Sequence, residues 1–469
     1  MKNQMHITRR SFLNTVGGVV AGMIVVPQFI PSRLLGQESP SNKLNLACIG
    51  LGGQMHGLMK DNQANLHANV LAICDLDAKR MEVTRSMPEL GATNAKQYKD
   101  YRELLRRESS VDGVLIASPD HWHAILSTAA IKAGKHVYCE KPLTHTVGDA
   151  RAMRLLAKQS KVVTQTGNQG SASDNFRRSM ELIQAGVLGT VREIYIWHPP
   201  HGWPNGVDRP VGEDPIPEGF DWDYWLGPSP ARPYKNGIYH PGAWRGWFDF
   251  GGGSLADFCC HAFSLPVRAL NLDYPEKIEV AGDWLGKESF PITCRVRFNF
   301  PARGGREAVS LFFSTGKDGL PPGGALVGLK ETFGSIPTSG CLLIGEKGTL
   351  SAGLWNSECY VKMKGESKFV GGDNHEAIKP IPKTLPRVQG LHLKEWMDAC
   401  KGGNPTFSPF EIGGHVTEIG SAGLIALRLG QNIEWDGMAM QIKGNPDSKS
   451  LADPAPRKGA EKYWNPLQV

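Results

Sequence analysis

The sequence predicts an α/β protein of two domains followed by a short tail. Its 469 residues are about three times the usual length of one domain, so two separate cores are expected. From Leu44 onward, short apolar runs alternate with helical segments, which is typical of a parallel sheet with crossover helices. After residue 168 the β-like segments follow one another with few helices between them, which favours an antiparallel sheet. The predicted bounds are 43–168 and 169–445 for the domains and 446–469 for the tail.

The elements of the first domain follow from short buried runs and helical patterns. The predicted strands lie at 46–49, 70–74, 114–117, 136–139 and 162–165. The predicted helices lie at 125–133, where Gly134 stops the helix, and at 149–160.

The second domain opens with a predicted helix at 173–186 and a strand at 191–197. Further strands are predicted at 277–281, 293–300, 308–313 and 348–350, and helices at 390–401 and 411–429. Two loops are expected from their Gly and Pro content, at 198–253 and 316–328.

Charge and cysteine content exclude some functions. The formal net charge of +6 is small for this length and comes in no block of one sign, so no nucleic-acid partner is expected. The nine cysteines are an odd number and most lie in apolar runs, which favours buried free thiols over a disulfide framework.

Residues 1–36 are predicted to be a targeting segment and not part of the fold. The stretch 8–13, Thr-Arg-Arg-Ser-Phe-Leu, is typical of a twin-arginine signal, and the apolar stretch 16–26 is short for a membrane span. We expect the twin-arginine machinery to export the chain to the periplasm; an uncleaved membrane anchor is the alternative. No nicotinamide nucleotide pool exists outside the cytoplasm, so an exported enzyme of this kind would keep its cofactor bound and regenerate it there.

A glycine turn follows the first predicted strand. Gly50, Gly52 and Gly53 allow the backbone to turn tightly and approach a pyrophosphate, whose charge is met by the N-terminus of the next helix. Met55 stands at the third glycine position of the usual dinucleotide fingerprint. A plain strand–helix turn is the alternative.

An acidic residue follows the second strand at the expected distance. Asp75 lies where a carboxylate can accept the ribose hydroxyls of a dinucleotide. Its charge would repel a 2′-phosphate, which favours NAD, while Lys79 and Arg80 keep NADP open. The first domain is therefore predicted to be an NAD(P)-binding Rossmann domain.

Three further stretches carry a family resemblance. They are 118–123, Ser-Pro-Asp-His-Trp-His; 140–142, Glu-Lys-Pro; and 251–261, which ends in Asp-Phe-Cys-Cys-His. Together with the glycine turn they resemble the glucose–fructose oxidoreductase, inositol dehydrogenase and rhizopine-catabolism family, written Gfo/Idh/MocA. The stretch 244–250, Trp-Arg-Gly-Trp-Phe-Asp-Phe, is similar to a twin-arginine-exported branch.

The resemblance implies a Rossmann domain followed by an α/β domain whose open, mostly antiparallel sheet carries the substrate and often the oligomer interface, so a homo-oligomer is expected. It implies a catalytic role near the nicotinamide for Lys141, and a catalytic pair in Asp257 and His261. Positions that line the cofactor would be Ser118, His123, Glu140 and Lys141. The family's glycosidases generally lack this lysine, so Lys141 favours the dehydrogenase-like branches.

The chemistry of these residue types suits alcohol oxidation. A histidine can take the hydroxyl proton, and an ammonium can stabilise the developing alkoxide. Asp257 and His261 are four residues apart, so on a helix they share one face. Alternatives exist: Ser254 and Asp257 also fit a capping box, and Glu-Lys-Pro also occurs as a surface turn.

The histidines at 121 and 123 have the spacing of a metal-binding pair. Two histidines without a nearby third ligand do not make a metal site, so no metal is predicted at His121 and His123.

The aromatic-rich loop supplies substrate candidates. Tryptophan faces suit the C–H surface of a sugar, although core packing is the alternative for each aromatic residue. The candidates are Tyr239, His240, Trp244 and Arg245, with His198 and His201 as weaker ones.

The sequence thus predicts an NAD(P)-dependent oxidoreductase that acts on a hydroxyl of a sugar, glycoside or polyol and keeps its cofactor bound. A lyase or glycoside hydrolase that oxidises its substrate transiently would need the same residues. A non-enzymatic sugar-binding protein on the same scaffold is the third hypothesis.

Overall fold

The computed structural model describes residues 43–464, except residues 67, 284, 317–319 and 322. The predicted targeting segment 1–36 lies outside the described residues. Among the residues described, no helix combines the length and the apolar character needed to cross a bilayer.

The first domain is built on a parallel sheet of six strands. They are β1 Asn45–Ile49, β2 Asn69–Cys74, β3 Lys96–Tyr98, β4 Gly113–Ile116, β5 His136–Glu140 and β6 Thr164–Gly167. Their order in the sheet is β3-β2-β1-β4-β5-β6. The order reverses between β1 and β4, and in such sheets ligands bind outside the carboxyl ends of the strands at that point. The predicted Rossmann topology is confirmed.

Five helices of this domain cross between the strands. They are α1 Gly53–Asp61, α2 Ala78–Ser86, α3 Tyr101–Arg107, α4 Asp120–Lys132 and α5 Val147–Gln159. The strands are buried on both faces by these helices, which is why they appear in the sequence as continuous apolar runs.

The second domain is built on a mixed sheet of ten strands. They are β7 Val191–His198, β8 Lys277–Gly282, β9 Cys294–Phe300, β10 Val309–Thr315, β11 Gly340–Gly345, β12 Gly348–Ser351, β13 Tyr360–Met363, β14 Val370–Gly371, β15 Ile433–Asp436 and β16 Gln441–Ile442. Their order is β14-β13-β12-β11-β7-β10-β9-β8-β15-β16. Strands β7 and β10 pair in parallel, and the other pairs are antiparallel. The predicted mostly antiparallel sheet is confirmed.

Eight helices belong to this half of the chain. They are α6 Asp174–Gln184, α7 Trp222–Leu226, α8 Gly253–Ala262, α9 Ser264–Ala269, α10 Gly323–Phe333, α11 His392–Cys400, α12 Phe410–Leu429 and α13 Lys449–Ala452. Helix α12 packs against both α5 and α8 and so joins the two domains. At Gly420 a Cβ atom would lie 2.3 Å from the sulfur of Cys259, so only glycine permits this close approach to α8.

The structure departs from the sequence prediction in several places: helix α4 begins at Asp120, five residues before its predicted start, and the predicted loop 198–253 contains α7. The segment 316–328, predicted as a loop, contains the start of α10, which lays Leu326 and Leu329 on Tyr195 and Trp197 of the sheet. The last strand of the first domain begins at Thr164, two residues later than predicted. All nine cysteines are free, and all but the partly buried Cys400 are buried.

Candidate active site

The glycine turn forms one end of a cleft at the carboxyl edge of the first sheet. Gly50 has a φ of +84°, and a Cβ atom there would lie 2.6 Å from the backbone nitrogen of Ser118. Gly52 is the N-cap of α1 and supplies no side chain to its first-turn N–H groups. Gly53 has open space where a side chain would stand. The amides of this helix start therefore face a site that suits an anion.

The Asp75 carboxylate stabilises this turn through hydrogen bonds to backbone amides. Its Oδ2 atom accepts from the Leu51 nitrogen at 2.7 Å, and its Oδ1 atom accepts from the Asp77 nitrogen at 2.9 Å. Burial raises the pKa of the Asp75 carboxyl, and the two amides oppose that rise. The Nη1 atom of Arg80 lies 3.3 Å from the Leu51 carbonyl, so a cation also borders the turn.

The cleft has a volume of about 430 Å³, within the range of cofactor sites. Its first wall comes from the glycine turn, Asp75, Arg80 and Ser118. Its second wall comes from the long loop of the second domain, through Tyr224, Trp225, His240, Trp244 and Arg245. The cleft is thus enclosed between the two domains.

The loop that forms this second wall, residues 219–245, is named the strap. Its polar contacts with the first domain include Lys99 Nζ with the Gly219 carbonyl at 3.4 Å, Tyr224 hydroxyl with Asp100 Oδ1 at 3.3 Å, and His240 Nε2 with Asp77 Oδ2 at 3.3 Å. His240 therefore lies at the Asp75 end of the cleft, where the ribose of a dinucleotide is expected. The sequence placed it among the substrate candidates instead.

The aromatic side chains of the strap pack on one another and on their neighbours. The buried cluster contains Trp222, Trp225, Leu226, Tyr234, Tyr239, Trp244, Trp247 and Phe250. Tyr239 is 1% exposed and lies 5.3 Å from Trp247 and 5.5 Å from Phe250, ring centre to ring centre. Because Tyr239 is buried in this cluster, it has no surface left to contact a substrate, and it stabilises the fold of the strap. Trp244, in contrast, lines the cleft.

The C-terminal tail contacts the strap mainly through Asp223. Asp223 of the strap accepts from Arg457 at 2.6 Å, from the hydroxyl of Tyr463 at 2.5 Å and from Lys462 at 3.0 Å. Burial alone would raise the pKa of Asp223, but these three donors lower it to about 2. The Tyr463 ring also stacks on Tyr224 at 4.4 Å.

Lys141, just after the end of β5, meets Asp257 of α8. Its Nζ atom lies 2.8 Å from Asp257 Oδ1 and 3.2 Å from the Asp257 carbonyl oxygen. Arg245 Nε approaches the same Oδ1 atom at 3.7 Å, which connects this pair to the cleft that Arg245 lines. Burial would lower the pKa of Lys141, but the Asp257 carboxylate outweighs burial and raises it. Lys141 is therefore a charged ammonium.

His261 is a neutral imidazole with one free nitrogen. The residue is fully buried, and its Nδ1 atom lies 3.2 Å from Asn168 Oδ1. An amide oxygen only accepts, so Nδ1 carries the proton and Nε2 carries a lone pair. Nε2 has no partner among the described residues. Burial, followed by the charge of Lys141, lowers the pKa of His261 well below its usual value.

The sequence expected Asp257 and His261 to act as a pair on one helix face. Both residues lie on α8, and each has its own partner there: Asp257 meets Lys141, and His261 meets Asn168. The capping-box alternative does not hold, because Gly252 is the N-cap of α8 and the Ser254 hydroxyl has no hydrogen-bond partner among the described atoms.

His123 and Glu140 hold the loops around the cleft. The ring nitrogens of His123 lie 2.9 Å from the Ser118 carbonyl and 2.7 Å from the Pro142 carbonyl, and burial lowers its pKa to about 4. Glu140 Oε1 accepts from Gln54 at 2.9 Å and from Gln169 at 2.8 Å. His123 and Glu140 therefore help to hold the loop that carries Lys141 and the start of helix α1 in place.

The neighbouring His121 bonds to the carbonyl of Trp225 at 2.9 Å, and burial lowers its pKa to about 3. Both histidines of the 121 and 123 pair thus face backbone carbonyls. Within the part of the chain that the structure describes, no three potential ligands cluster as a metal site would require.

Three residues near Lys141 or His261 were not among the site residues predicted from the sequence. Asn168 orients His261. Asp120, at the start of α4, is a buried carboxyl whose pKa is raised well above its usual value by burial, while the charges of Arg245 and Lys141 oppose this. Trp355 lies over His261, with ring centres 4.1 Å apart. They come from separate elements, so no local pattern could have assigned them.

Comparison with known families gives a match for each domain. A model described as an oxidoreductase family, NAD-binding Rossmann fold, matches residues 44–168. A model described as an oxidoreductase family, C-terminal alpha/beta domain, matches residues 183–301. Both models belong to one family and together span more than half of the chain.

Curated relatives match over part of the chain. A myo-inositol 2-dehydrogenase of Thermotoga maritima is 33% identical over 183 residues, which is 38% of this chain and 48% of that protein. A 1,5-anhydro-D-fructose reductase of Ensifer adhaerens is 36% identical over 114 residues, 23% of this chain and 34% of that protein. The chain thus spans about half the length, or less, of the curated relatives it matches.

Solved structures show the same fold over most of the chain. The aldose–aldose oxidoreductase of Caulobacter crescentus, complexed with glycerol, aligns with a TM-score of 0.55 at 17% identity, over 84% of this chain and 100% of that one. A levoglucosan dehydrogenase in complex with NADH and levoglucosan gives 0.55 at 18%, over 84% and 99%. The WlbA dehydrogenase of Bordetella pertussis, with NADH and UDP-GlcNAcA, gives 0.57 at 15%, over 84% and 98%.

Proposed function

Since the chain belongs to the Gfo/Idh/MocA oxidoreductase family, we propose that it is an NAD(P)-dependent oxidoreductase that acts on a hydroxyl of a sugar, glycoside or polyol. The inositol, anhydrofructose and levoglucosan enzymes among its relatives support this substrate class, because their names describe cyclitol and sugar substrates. The observation that carries the proposal is the free Nε2 atom of His261, buried in one site with the ammonium of Lys141 beside the cleft.

The residues around the cleft fit a dinucleotide. Gly50 allows the turn to lie against Ser118, the amides at the start of α1 suit the pyrophosphate, and Asp75 stands where ribose hydroxyls are accepted. The Asp75 carboxylate favours NAD, while Arg80 beside the turn keeps NADP as the alternative. When bound, the nicotinamide supplies the hydride acceptor or donor.

The protein's own groups handle the proton and the charge. His261 Nε2 takes the proton of the substrate hydroxyl, since its low pKa keeps the imidazole neutral at working pH. Lys141 donates a hydrogen bond to the same oxygen and stabilises the alkoxide that forms. Asp257 keeps Lys141 charged and holds its Nζ atom in place. Reduction runs the same steps in reverse.

The strap and tail support a second element of the proposal, a cofactor that stays bound between turnovers. His240, Tyr224 and Gly219 contact the first domain on the far side of the cleft, and the tail holds the strap through Asp223. These contacts hold the strap against the first domain beside the cleft, so they would slow the release of a nucleotide bound there. Retention would also serve a chain exported through the twin-arginine pathway to the periplasm, which we keep as a proposal together with a homo-oligomeric state.

Mass spectrometry of the purified full chain tests the function directly. Denaturation should release about one NAD or NADP per chain, and adding a suitable sugar to the native protein should change the absorbance of the bound nicotinamide without added nucleotide. An empty cleft with no affinity for either nucleotide would overturn the proposal.

A retained cofactor also favours a second candidate, cleavage of a glycoside by transient oxidation and re-reduction. Release of aglycone from a glycoside, over many turnovers and without added nucleotide or acceptor, would identify this reaction. Single-turnover oxidation that stops when the bound nucleotide is reduced would identify the simple dehydrogenase. Binding of sugar with no redox change in either assay would identify the non-enzymatic alternative.

A further inference from the structure

Three polar side chains meet at the end of the cleft where the ribose of a dinucleotide is expected. Arg80 and His240 both line the cleft, one from the first domain and the other from the strap. Asp77 lies behind both of them: its Oδ2 atom is 3.7 Å from Arg80 Nε and 3.3 Å from His240 Nε2. One carboxylate therefore holds both the cation and the imidazole that border this end of the cleft.

The donors of Arg80 already face acceptors of the protein. Its Nη1 atom donates to the Leu51 carbonyl at 3.3 Å, its Nε atom faces Asp77, and the side chain is only 24% exposed. A phosphate is bound best by a guanidinium that can offer two parallel N–H groups. Binding a 2′-phosphate therefore requires Arg80 to give up part of these contacts. Lys99 also lines the cleft, but its Nζ atom donates to the Gly219 carbonyl at 3.4 Å.

The protonation of His240 suits a hydroxyl and not a phosphate. A carboxylate only accepts, so Nε2 of His240 carries the proton of its bond to Asp77. Burial lowers the pKa of His240, Asp77 opposes this effect and Arg80 adds to it, so the imidazole is neutral at pH 7. Its Nδ1 atom then carries a lone pair, which accepts a hydrogen bond from a hydroxyl and repels a phosphate oxygen.

The strap holds the His240 ring in this place. The ring stacks on Phe220, with ring centres 4.8 Å apart at an interplanar angle of 24°, and meets Trp225 edge-on at 6.2 Å. The His240 side chain is 15% exposed. Since Phe220 and Trp225 also belong to the strap, the second domain carries the imidazole to the ribose end of the cleft.

We propose that Asp77 and His240 make the cleft selective for NAD over NADP. Asp77 is a positioning residue that holds Arg80 away from a 2′-phosphate, and its own charge repels that group. His240 accepts a hydrogen bond from a ribose hydroxyl through Nδ1. This inference rests on the proposed function and decides between the two nucleotides that it leaves open.

Equilibrium exchange of the bound nucleotide tests the selectivity. The purified full chain is incubated with a large excess of NAD and NADP at equal concentrations until exchange is complete. Free nucleotide is then removed, and the bound nucleotides are released and quantified by mass spectrometry. We expect the wild type to retain NAD over NADP by about 100-fold or more.

Two substitutions should change this ratio. Asp77→Asn should shift it towards NADP by about 10-fold, because the Arg80 guanidinium is freed for the 2′-phosphate. His240→Ala should shift it in the same direction by about 3- to 5-fold, because NAD loses one acceptor for its ribose. The Asp77→Asn variant should keep helix α2, since asparagine is also a good N-cap and can accept from the Lys79 nitrogen as Asp77 does at 3.0 Å.

Two further variants separate this role from a general effect of charge. Glu82→Gln removes an exposed carboxylate from the same helix and should leave the ratio unchanged. Arg80→Met added to Asp77→Asn should remove most of the 10-fold shift, because the shift depends on the freed guanidinium.

Four results would overturn the inference: equal retention of both nucleotides by the wild type, a wild-type ratio in Asp77→Asn, a wild-type ratio in His240→Ala, or a full shift that persists without Arg80. A wild-type chain that retains neither nucleotide would instead count against the proposed function, so the two failures are distinguishable.

Discussion

Replacing Asp223 with asparagine should release the cofactor faster, because the Asp223 carboxylate is one of the groups through which the tail holds the strap. Asp223→Asn keeps the size of the side chain but removes the charge that Arg457, Lys462 and the Tyr463 hydroxyl share. The substitution acts at the outer side of the strap, on a residue that does not line the cleft.

The magnitude follows from the exposure of the partners. The Asp223 side chain is 46% exposed, so its pair with the exposed Lys462 is discounted for solvent screening to at most about 1 kcal/mol. Arg457 is more buried, and its charged hydrogen bond at 2.6 Å lies near the lower end of about 1.5–3 kcal/mol. Asn can still accept one of these bonds, so we expect a net loss of about 1–2 kcal/mol from the closed strap. That corresponds to NADH release about 5- to 30-fold faster.

Stopped-flow measurement of NADH fluorescence during a chase with excess NAD gives this rate. Asp214→Asn is the matched control, since Asp214 lies before the strap and its carboxylate bonds to Lys235 and the Asn236 nitrogen of the strap. Its release rate should equal that of the wild type. If Asp223→Asn released NADH at the wild-type rate while keeping the wild-type circular dichroism, the strap would not retain the cofactor.

Three other outcomes are expected. Lys141→Met should lower kcat by about 100-fold or more and leave the amount of bound nucleotide unchanged, because the alkoxide loses its hydrogen-bond donor. Steady-state assays together with quantification of the bound nucleotide check this. A kcat equal to that of the wild type would contradict it. kcat/KM should stay level from pH 8 to pH 6, because the lowered pKa of His261 keeps its base form through the usual histidine range; a fall centred near 6.5 would contradict it. The pKa of a histidine is about 6.5 in the unfolded chain but about 4 for folded His123, so the free energy of unfolding falls as the pH is lowered. In urea titrations His123 alone should lower the free energy of unfolding by about 2 kcal/mol between pH 7 and pH 5. The His123→Gln variant should lose correspondingly less stability over the same pH range.

The first domain could be predicted from the sequence because each of its strands and its glycine turn is marked by a pattern of neighbouring residues. Parallel strands buried on both faces appear as apolar runs, and a glycine turn followed by an acidic residue after the next strand is typical of a dinucleotide site. Gly50 and Asp75 lie where the pattern placed them. The Asp75 carboxylate accepts from the nitrogen of Leu51, and the Gly50 nitrogen donates to the Cys74 carbonyl. Strand and helix ends differed by a few residues, as hydrogen bonding at element ends varies.

The long loop could not be interpreted in the same way. Its aromatic composition was compatible with a sugar platform or with a core, and the partners that decide between them are far away in sequence. His240 meets Asp77, and Asp223 meets Arg457, so residues 163 and 234 positions apart determine what the strap does. Tyr239 became part of a core for the same reason.

The candidate catalytic residues were predicted from the sequence, but the side chains that contact them were not. The family resemblance implied that Asp257 and His261 act as a pair, and their spacing placed them on one helix face, yet side chains four residues apart can contact different neighbours. Asp257 turned to Lys141 beside β5, and His261 turned to Asn168 at the end of β6. Trp355 had no sequence signal, since one tryptophan in a loop is as compatible with packing as with binding.

A crystal structure of the full chain with NADH and a bound sugar tests the central claim most directly. We expect the nicotinamide C4 atom about 3–3.5 Å from a sugar carbon whose hydroxyl oxygen contacts both Lys141 Nζ and His261 Nε2. A nicotinamide that lies elsewhere, or a sugar hydroxyl that reaches neither of these atoms, would contradict it.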